Sequence, residues 1–415
     1  MPPKDFLSEE EIHSYSILTN LLAFDIGIDT KKYDDLRLVE WLRGYTTLQL
    51  FIEENFNKNK PKSSLIELSE KSYVNLLSKN GINKKLAKKF IDSLYFSKSS
   101  DDLFDAPLLK IDNGNLLIFG QALRNANLPA LILSSLSNRG IQINRKGRAF
   151  ENEVFNLLDK QDGIEVGTYK GKQSSNGIKE EFELDAIAIW QNHIFLFECK
   201  NETLSDGTPS AIAYYESGLR SNVKQTNRHL RGLKTYPDIL NTAFKGRFSE
   251  LELKKMPIIP CILYNKTYAR IGTIDGIYIC DFSSLSRFFE ERHINLNMIS
   301  GVGKNPVGIS VPVYDLWKSD KPSAKSLITH INTPIQVKIC HDHMEWTEKT
   351  IPLVAGHYLL APEFEYREPT FSSQAISCDT DPYAFLTKIN IANQTIDASK
   401  KGNRASRRKN RKTKR

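Results

Sequence analysis

Three charged side chains lie near the ends of two apolar segments in the middle of this 415-residue chain. Asp185 lies near the start of the first segment, and Glu198 and Lys200 lie at the end of the second. Two carboxylates held close together repel each other unless a cation or a shared proton lies between them. Hard divalent cations such as Mg²⁺ take carboxylate oxygens and water as ligands. These residue types predict metal-assisted chemistry with an ammonium group beside the metal, and the alternative is a structural ion pair between Lys200 and one carboxylate.

The two apolar segments, Leu184–Trp190 and Ile194–Cys199, are predicted to form the strands of a buried β-hairpin. If the Gln-Asn dipeptide between them forms a two-residue loop, Asp185 lies directly across from Glu198, with the Cβ atoms about 5 Å apart. Lys200 joins the same face because strand side chains alternate with a period of two. A loop of odd length would break this register.

The motif of the PD-(D/E)XK nucleases begins with an acidic residue on one apolar strand. About a dozen residues later, an acid-x-Lys triplet ends the next apolar strand. The chain resembles this superfamily, in its Mrr-like or nuclease-related-domain-like branch, through Leu184-Asp185 and Glu198-Cys199-Lys200. Leu184 replaces the usual proline. The resemblance implies an α/β, restriction-endonuclease-like fold, with a mixed sheet flanked by helices. It also implies that Asp185 and Glu198 hold one or two Mg²⁺ or Mn²⁺ ions and that Lys200 orients or deprotonates the attacking water.

A helix predicted at Arg145–Lys160 carries a carboxylate within its apolar stripe. At about 100° per residue, Glu151 falls inside the apolar arc, whereas Glu153 falls outside it and is the solvated alternative. A carboxylate directed into a core needs a partner, because burying it unpaired is costly. Gly147–Glu151 also matches the Gly-x-x-Phe-Glu helix found in many of the nucleases that the chain resembles, which implies that Glu151 completes the metal site.

A second helix, predicted at Ser210–Leu233, follows the acid-x-Lys strand. In the Mrr-like and RecB-like nucleases a glutamine of this helix orients the catalytic lysine or the nucleic acid, and the resemblance implies that role for Gln225. A polar loop is expected at Lys170–Lys179. Exposed cations in these segments are candidates for contact with phosphates, and a plainly solvated surface is the alternative. The candidates are Arg148, Lys170, Lys172, Arg220, Lys224, Arg228 and Arg231, the last four on one arc of the second helix.

The rest of the chain is predicted to form four further regions around the nuclease domain. The expected order is a helical N-terminal domain at 1–100, a connecting hairpin and helix at 101–140, the nuclease domain at 141–285, a small α+β region at 286–370, and a polar linker with a disordered basic tail at 371–415. The N-terminal region is expected to be all α, with one of its helices at Ser64–Leu77. It carries no catalytic constellation, so it is expected to contact a protein or nucleic acid or to form a structural cap. A homodimer is left open.

The composition limits the class of protein. The net charge of +8 arises at the end of the chain, because residues 400–415 hold ten lysines and arginines and no acid. Such a tail attracts phosphate backbones or simply solubilises the protein. No apolar run reaches the roughly 18 residues of a membrane span, and the start of the chain lacks a signal peptide. The five cysteines are scattered without a CxxC pair, so reduced thiols and a cytoplasmic location are expected, with no membrane partner.

These features predict a metal-dependent nuclease that hydrolyses phosphodiester bonds, with DNA favoured over RNA and a defence or restriction role by analogy. The alternatives are a non-catalytic nucleic-acid-binding protein on a nuclease fold and an RNA-directed nuclease. Neither a P-loop nor a Gly-x-Ser-x-Gly elbow is present, so P-loop nucleotide hydrolysis and serine hydrolysis gain no support. Cys340–His343 is expected to be the polar end of a strand rather than a zinc site.

Overall fold

The chain forms two compact units, Met1–Asn156 with Cys199–Ser221, and Leu157–Glu198 with Asn222–Arg415. The computed structural model describes residues 6–59, 65–97, 100, 103, 105–175, 178–202, 209–266, 268–300, 307–354 and 356–367, and beyond these only 384, 387, 390, 391 and 394. The predicted basic tail at 400–415 and Cys378 lie outside the described residues. Among the helices described, none combines the length and the apolar character that crossing a membrane requires.

The first unit is mainly helical and contains a small sheet. Its elements are α1 (Glu9–Leu22), α2 (Leu38–Asn59), β1 (Leu65–Ser69), α3 (Glu70–Lys79), α4 (Lys84–Ser93), β2 (Leu108–Lys110), β3 (Asn115–Phe119), α5 (Gly120–Arg124), α6 (Leu128–Asn138) and most of α7 (Lys146–Asp159). One hydrophobic core, with buried residues from Leu18 to Ile143, includes Trp41, Tyr45 and Phe90. The segment 101–140, predicted as a connector, contributes side chains to this core.

One element of the first unit differs from the helix predicted at Ser64–Leu77. The helix begins only at Glu70, with the Ser69 side chain as its N-cap, and the preceding residues form β1. β1 pairs antiparallel with β3 in a three-stranded sheet of order β1-β3-β2. The all-α expectation for this region is therefore wrong, because the partner strand lies some fifty residues further along the chain and local periodicity does not reveal it.

The second unit is built on a six-stranded mixed sheet of order β4-β5-β6-β7-β9-β8. β4, β5 and β6 are antiparallel neighbours, whereas β7 and β9 run parallel. This confirms the α/β class. The elements are β4 (Ile164–Ser175), β5 (Ile178–Trp190), most of β6 (His193–Lys200), the part of α8 (Pro209–Thr235) from Asn222 onwards, α9 (Asp238–Ala243), α10 (Glu250–Lys255), β7 (Ile258–Tyr264), β8 (Thr273–Ile274), β9 (Ile277–Asp281), α11 (Phe282–Glu290), β10 (His293–Ser300), β11 (Val307–Asp315), α12 (Ala324–Asn332), α13 (Ile335–Asp342), β12 (Met344–Pro352) and β13 (Tyr358–Tyr366).

The central hairpin has the predicted two-residue loop. Gln191 and Asn192 have φ angles of 45° and 61°, the left-handed pair that a type I′ turn requires. Trp190 pairs with His193, and the ladder continues in the predicted register as far as Ala186 opposite Phe197. The side-chain oxygen Oε1 of Gln191 accepts a hydrogen bond of 2.9 Å from the backbone N–H of Ala324, at the start of α12.

Two other segments depart from the sequence-based expectation. The polar loop predicted at Lys170–Lys179 is largely strand, because β4 continues to Ser175 and β5 begins at Ile178. Cys340–His343, expected to be the polar end of a strand, lies instead at the end of α13, and His343 is the C-cap of that helix. His343 is buried, with its Nδ1 2.6 Å from the carbonyl oxygen of Ile339.

Candidate active site

The buried carboxylate of Glu198 makes the central contact of the site. Glu198 is 2% exposed, and its Oε2 lies 2.9 Å from Nδ1 of His229, which is 1% exposed. By strand alternation Glu198 shares a face with Ile194 and Leu196, which belong to the core beneath α8, α9 and α10. His229 on α8 therefore supplies a buried hydrogen-bonding partner to the Glu198 carboxylate.

The second imidazole nitrogen of His229 also has a partner. Nη2 of Arg228 lies 3.2 Å from Nε2 of His229. A guanidinium group only donates hydrogen bonds, so Nε2 accepts here, and the ring proton is on Nδ1, where it donates to Glu198. This tautomer is assigned from its two partners. The Arg228 guanidinium also lies 5.9 Å from the centre of the Phe182 ring, a cation–π contact.

Close packing of α8 on β5 holds His229 in place. Gly232, three residues beyond His229, lies so near the Phe182 ring that a Cβ atom added to it would lie 2.3 Å from Cε1. Phe182 is 1% exposed, and its ring centre lies 5.8 Å from that of Tyr236. The absence of a side chain at Gly232 is therefore what lets the helix bring His229 within hydrogen-bonding distance of β6.

Asp185 lies at an irregularity of β5. The ladder pairs on either side of it are Gly167 with Ile187 and Tyr169 with Leu184. Between these pairs β4 advances by two residues and β5 by three, so β5 carries an extra residue within Asp185–Ala186. In a regular strand, even-numbered and odd-numbered residues face opposite sides of the sheet. The extra residue shifts this alternation by one, so the same core contains Phe182 and Leu184 before the bulge and Ile187 and Ile189 after it.

A β-bulge of this kind redirects a side chain and is common next to active sites. Asp185 is half-buried. Ala186 and Phe197 form the last ladder pair between β5 and β6. Asp185 comes immediately before Ala186 on β5, and Glu198 comes immediately after Phe197 on β6. The opposition of Asp185 and Glu198 remains a prediction that extends this confirmed register by one residue.

The other predicted catalytic residues are distributed over three elements. Lys200 is half-buried at the end of β6, two residues after Glu198. Gln225 is half-buried on α8, and it lies on the same face of that helix as His229, four residues later. On α7 Glu151 is half-buried and Glu153 exposed, as the predicted arc requires.

The two units divide these residues. Asp185, Glu198 and Gln225 belong to the second unit, and Glu151 and Lys200 to the first. Within the first unit, Oε1 of Glu151 lies 4.0 Å from the position that a Cβ on Gly147 would take, so the carboxylate is directed back along α7 towards its first turn. The convergence of all five side chains on one site remains a prediction.

All seven cations predicted to contact nucleic acid are exposed. Lys170 lies on β4 rather than in a loop, and its Nζ is 2.8 Å from both carboxylate oxygens of Glu183. Lys172 lies two residues further along the same strand, opposite Glu181. Within the described part of the chain, Lys224 and Arg231 make no ion pair. The seven are Arg148, Lys170, Lys172, Arg220, Lys224, Arg228 and Arg231.

The donor set of the second unit fits a hard cation. Among the described residues, no group of three or more His, Cys, Asp or Glu side chains is arranged to hold a metal ion. Mg²⁺ often uses only one or two protein carboxylates and completes its shell with water and substrate phosphates. Glu198 and Asp185 are oxygen donors of that kind, whereas a structural zinc ion needs four ligands.

Sequence reasoning missed His229. A signal was present, because His229 lies three residues after Thr226 and four before Leu233, which is the spacing of residues on one face of a helix. Both of these residues and His229 are buried. A histidine on the buried stripe of the helix after the acid-x-Lys strand is a reasonable partner for a buried glutamate, but the pairing itself appears only in three dimensions.

No family model matches the sequence, and no curated protein matches it. Among solved structures, the chain is similar to the crystal structure of protein VC1899 from Vibrio cholerae, with 13% sequence identity and a TM-score of 0.17. The similarity covers 68% of this chain and 55% of that chain, so the chain spans little more than half the length of that protein. At this TM-score the likeness carries no argument about fold or function.

Proposed function

We propose that the protein is a divalent-metal-dependent nuclease of the PD-(D/E)XK type that hydrolyses phosphodiester bonds, with DNA as the favoured substrate. The single observation that carries the proposal is the register of the central hairpin. The two-residue turn at Gln191 and Asn192 sets a register whose last pair is Ala186 with Phe197, and Asp185 and Glu198 are the next residues along the two strands. The proposal thus rests on a predicted alignment of two carboxylates whose underlying register is present in the fold.

The residues of the second unit have distinct roles in this proposal. Glu198 and Asp185 bind Mg²⁺ or Mn²⁺ through carboxylate oxygens, and the metal, when bound, lowers the pKa of a bound water and neutralises charge on the phosphate in the transition state. His229 holds the Glu198 carboxylate in one orientation. Gln225, on the same helical face as His229, orients the lysine or the nucleic acid.

The residues at the ends of their elements complete the reaction. Lys200 orients the attacking water or accepts its proton, since it follows Glu198 by two residues on one strand. Glu151 completes the metal ligands. The exposed cations of α8 hold the sugar-phosphate backbone without reading its sequence.

One observation favours the non-catalytic alternative. Glu198 already has a buried hydrogen-bonding partner in His229, so its burial is explained without any metal. A protein that binds nucleic acid through Arg220, Lys224, Arg228 and Arg231 and uses this pair only for stability would keep the same contacts. The two functions differ in whether phosphodiester bonds are cleaved.

A cleavage assay separates them. Plasmid DNA, single-stranded DNA and RNA of matched sequence are incubated with the protein and Mg²⁺, Mn²⁺ or EDTA. The proposal expects metal-dependent cleavage, with DNA cut faster than RNA, and expects Asp185→Ala to abolish it. The matched control is Glu183→Ala, two residues earlier on β5, whose carboxylate is exposed and pairs with Lys170. Equal cleavage by wild type and Asp185→Ala would refute the proposal, and binding without cleavage would establish the alternative.

A further inference from the structure

We propose that His229 is a positioning residue for the metal ligand Glu198, and that Arg228 fixes the tautomer in which His229 does this. The inference rests on the proposed function. It starts from a buried imidazole that the resemblance to known nucleases does not assign, and it connects three side chains in series: Arg228 to His229 to Glu198.

The geometry of the contact explains what His229 does to the carboxylate. Nδ1 of His229 donates to Oε2 of Glu198 over 2.9 Å, and both side chains are almost fully buried. A carboxylate with one oxygen held by a fixed donor has lost its freedom to rotate about its terminal bond. Its other oxygen then keeps a defined direction, which is what hydrogen-bonding partners of metal-ligating carboxylates supply.

The tautomer is essential to this role. A neutral imidazole has one donor and one acceptor nitrogen, and Glu198 needs the donor. The Arg228 guanidinium, 3.2 Å from Nε2, cannot accept a hydrogen bond, so it favours the form with its proton on Nδ1. Arg228 is exposed, and it is held over Phe182, the same ring against which Gly232 brings α8 close to the sheet.

A structural role alone would make a different prediction. If the pair only stabilised the fold, each replacement of His229 would lower the Mn²⁺ affinity in proportion to the stability that it removes. As a positioning residue, His229 is replaceable by a side chain with an N–H group at the position of Nδ1. Asparagine places its amide nitrogen about where Nδ1 lies, whereas glutamine reaches the position of Nε2.

The test compares His229→Asn, His229→Gln and His229→Leu in the full chain. Mn²⁺ binding is measured by electron paramagnetic resonance without nucleic acid, cleavage is measured as a function of Mg²⁺ concentration, and melting temperature is recorded for each variant. The buried histidine of α12 provides the matched control, since Nε2 of His330 lies 3.0 Å from the backbone carbonyl oxygen of Ser284 and its ring stacks on Phe288. His330→Gln is expected to bind Mn²⁺ as the wild type does.

The expected result is a loss of Mn²⁺ affinity of about 10- to 100-fold in His229→Gln and His229→Leu, with His229→Asn recovering most of it. The KM for DNA is expected to stay the same. Wild-type affinity in His229→Leu would overturn the inference, and so would equal losses in the Asn and Leu variants that follow their melting temperatures. If Asp185→Asn abolishes Mn²⁺ binding and the His229 variants do not, the positioning role fails while the proposed function stands. If the wild type binds no Mn²⁺, both fail.

Discussion

The approach of α8 to the sheet gives a quantitative prediction at Gly232. Replacing this residue with alanine places a Cβ atom 2.3 Å from Cε1, 2.8 Å from Cζ and 2.9 Å from Cδ1 of Phe182. An ordinary carbon–carbon contact needs about 3.5–4.0 Å. The helix or the ring must therefore move by more than 1 Å, and the ring is enclosed by Arg228, His229 and Tyr236.

Two effects of opposite sign decide the stability of Gly232→Ala. Alanine gains about 0.5–1 kcal/mol over glycine within a helix. Overpacking in a close-packed core costs about 1–3 kcal/mol. The second effect has the larger range, so we expect a net loss of up to about 2.5 kcal/mol, together with weaker Mn²⁺ binding because His229 moves with the helix.

The same helix supplies the control. Gly218 also lies within α8, and no atom lies within 4 Å of a Cβ built on it. Gly218→Ala is expected to stabilise the protein by about 0.5–1 kcal/mol, through the helix term alone. Urea unfolding followed by circular dichroism measures both variants, and Phe182→Leu in the Gly232→Ala background should recover part of the loss. If the two alanine variants are equally stabilised, the close approach of α8 to β5 is wrong.

Three further predictions concern other parts of the fold. Gly167→Ala would place a Cβ 2.7 Å from the carbonyl oxygen of Ala243, a backbone atom that cannot rotate away. We therefore expect urea unfolding to show about 1–3 kcal/mol of destabilisation. Wild-type stability in this variant would contradict the packing of α9 on β4. Burial raises the pKa of the Cys261 and Cys280 thiols, so iodoacetamide at neutral pH should modify Cys340, which is exposed, and reach the other two only in urea, as peptide mass spectrometry would show. Burial also raises the pKa of Asp281 in the folded protein, so stability present below its unfolded pKa is lost as the pH rises through the folded pKa. The unfolding free energy of Asp281→Asn should therefore rise relative to that of the wild type as the pH increases above about 4, the ordinary pKa of an aspartate, and a difference independent of pH would refute this.

The parts of the fold that were predictable from the sequence are those determined by local signals. The hairpin was predicted correctly because two apolar runs are separated by a short polar dipeptide, and a two-residue loop then fixes the register. The orientation of α7 was predictable in the same way, since helical periodicity separates Glu151 from Glu153.

The features that were not predictable depend on distant partners. β1 forms because β3 pairs with it, and Lys170 lies on a strand because β5 extends beside it. The bulge at Asp185 is invisible in a sequence where apolar residues fill both faces of the strand. His229 was missed because its partner lies on another element thirty-one residues earlier in the chain.

The most direct test of the central claim is the anomalous diffraction of Mn²⁺ in crystals of the protein. We expect a strong peak between the carboxylates of Asp185 and Glu198, with His229 still bonded to Oε2 of Glu198. A peak elsewhere, or no peak at millimolar Mn²⁺ in a site open to solvent, would contradict the claim that these two carboxylates form a metal site.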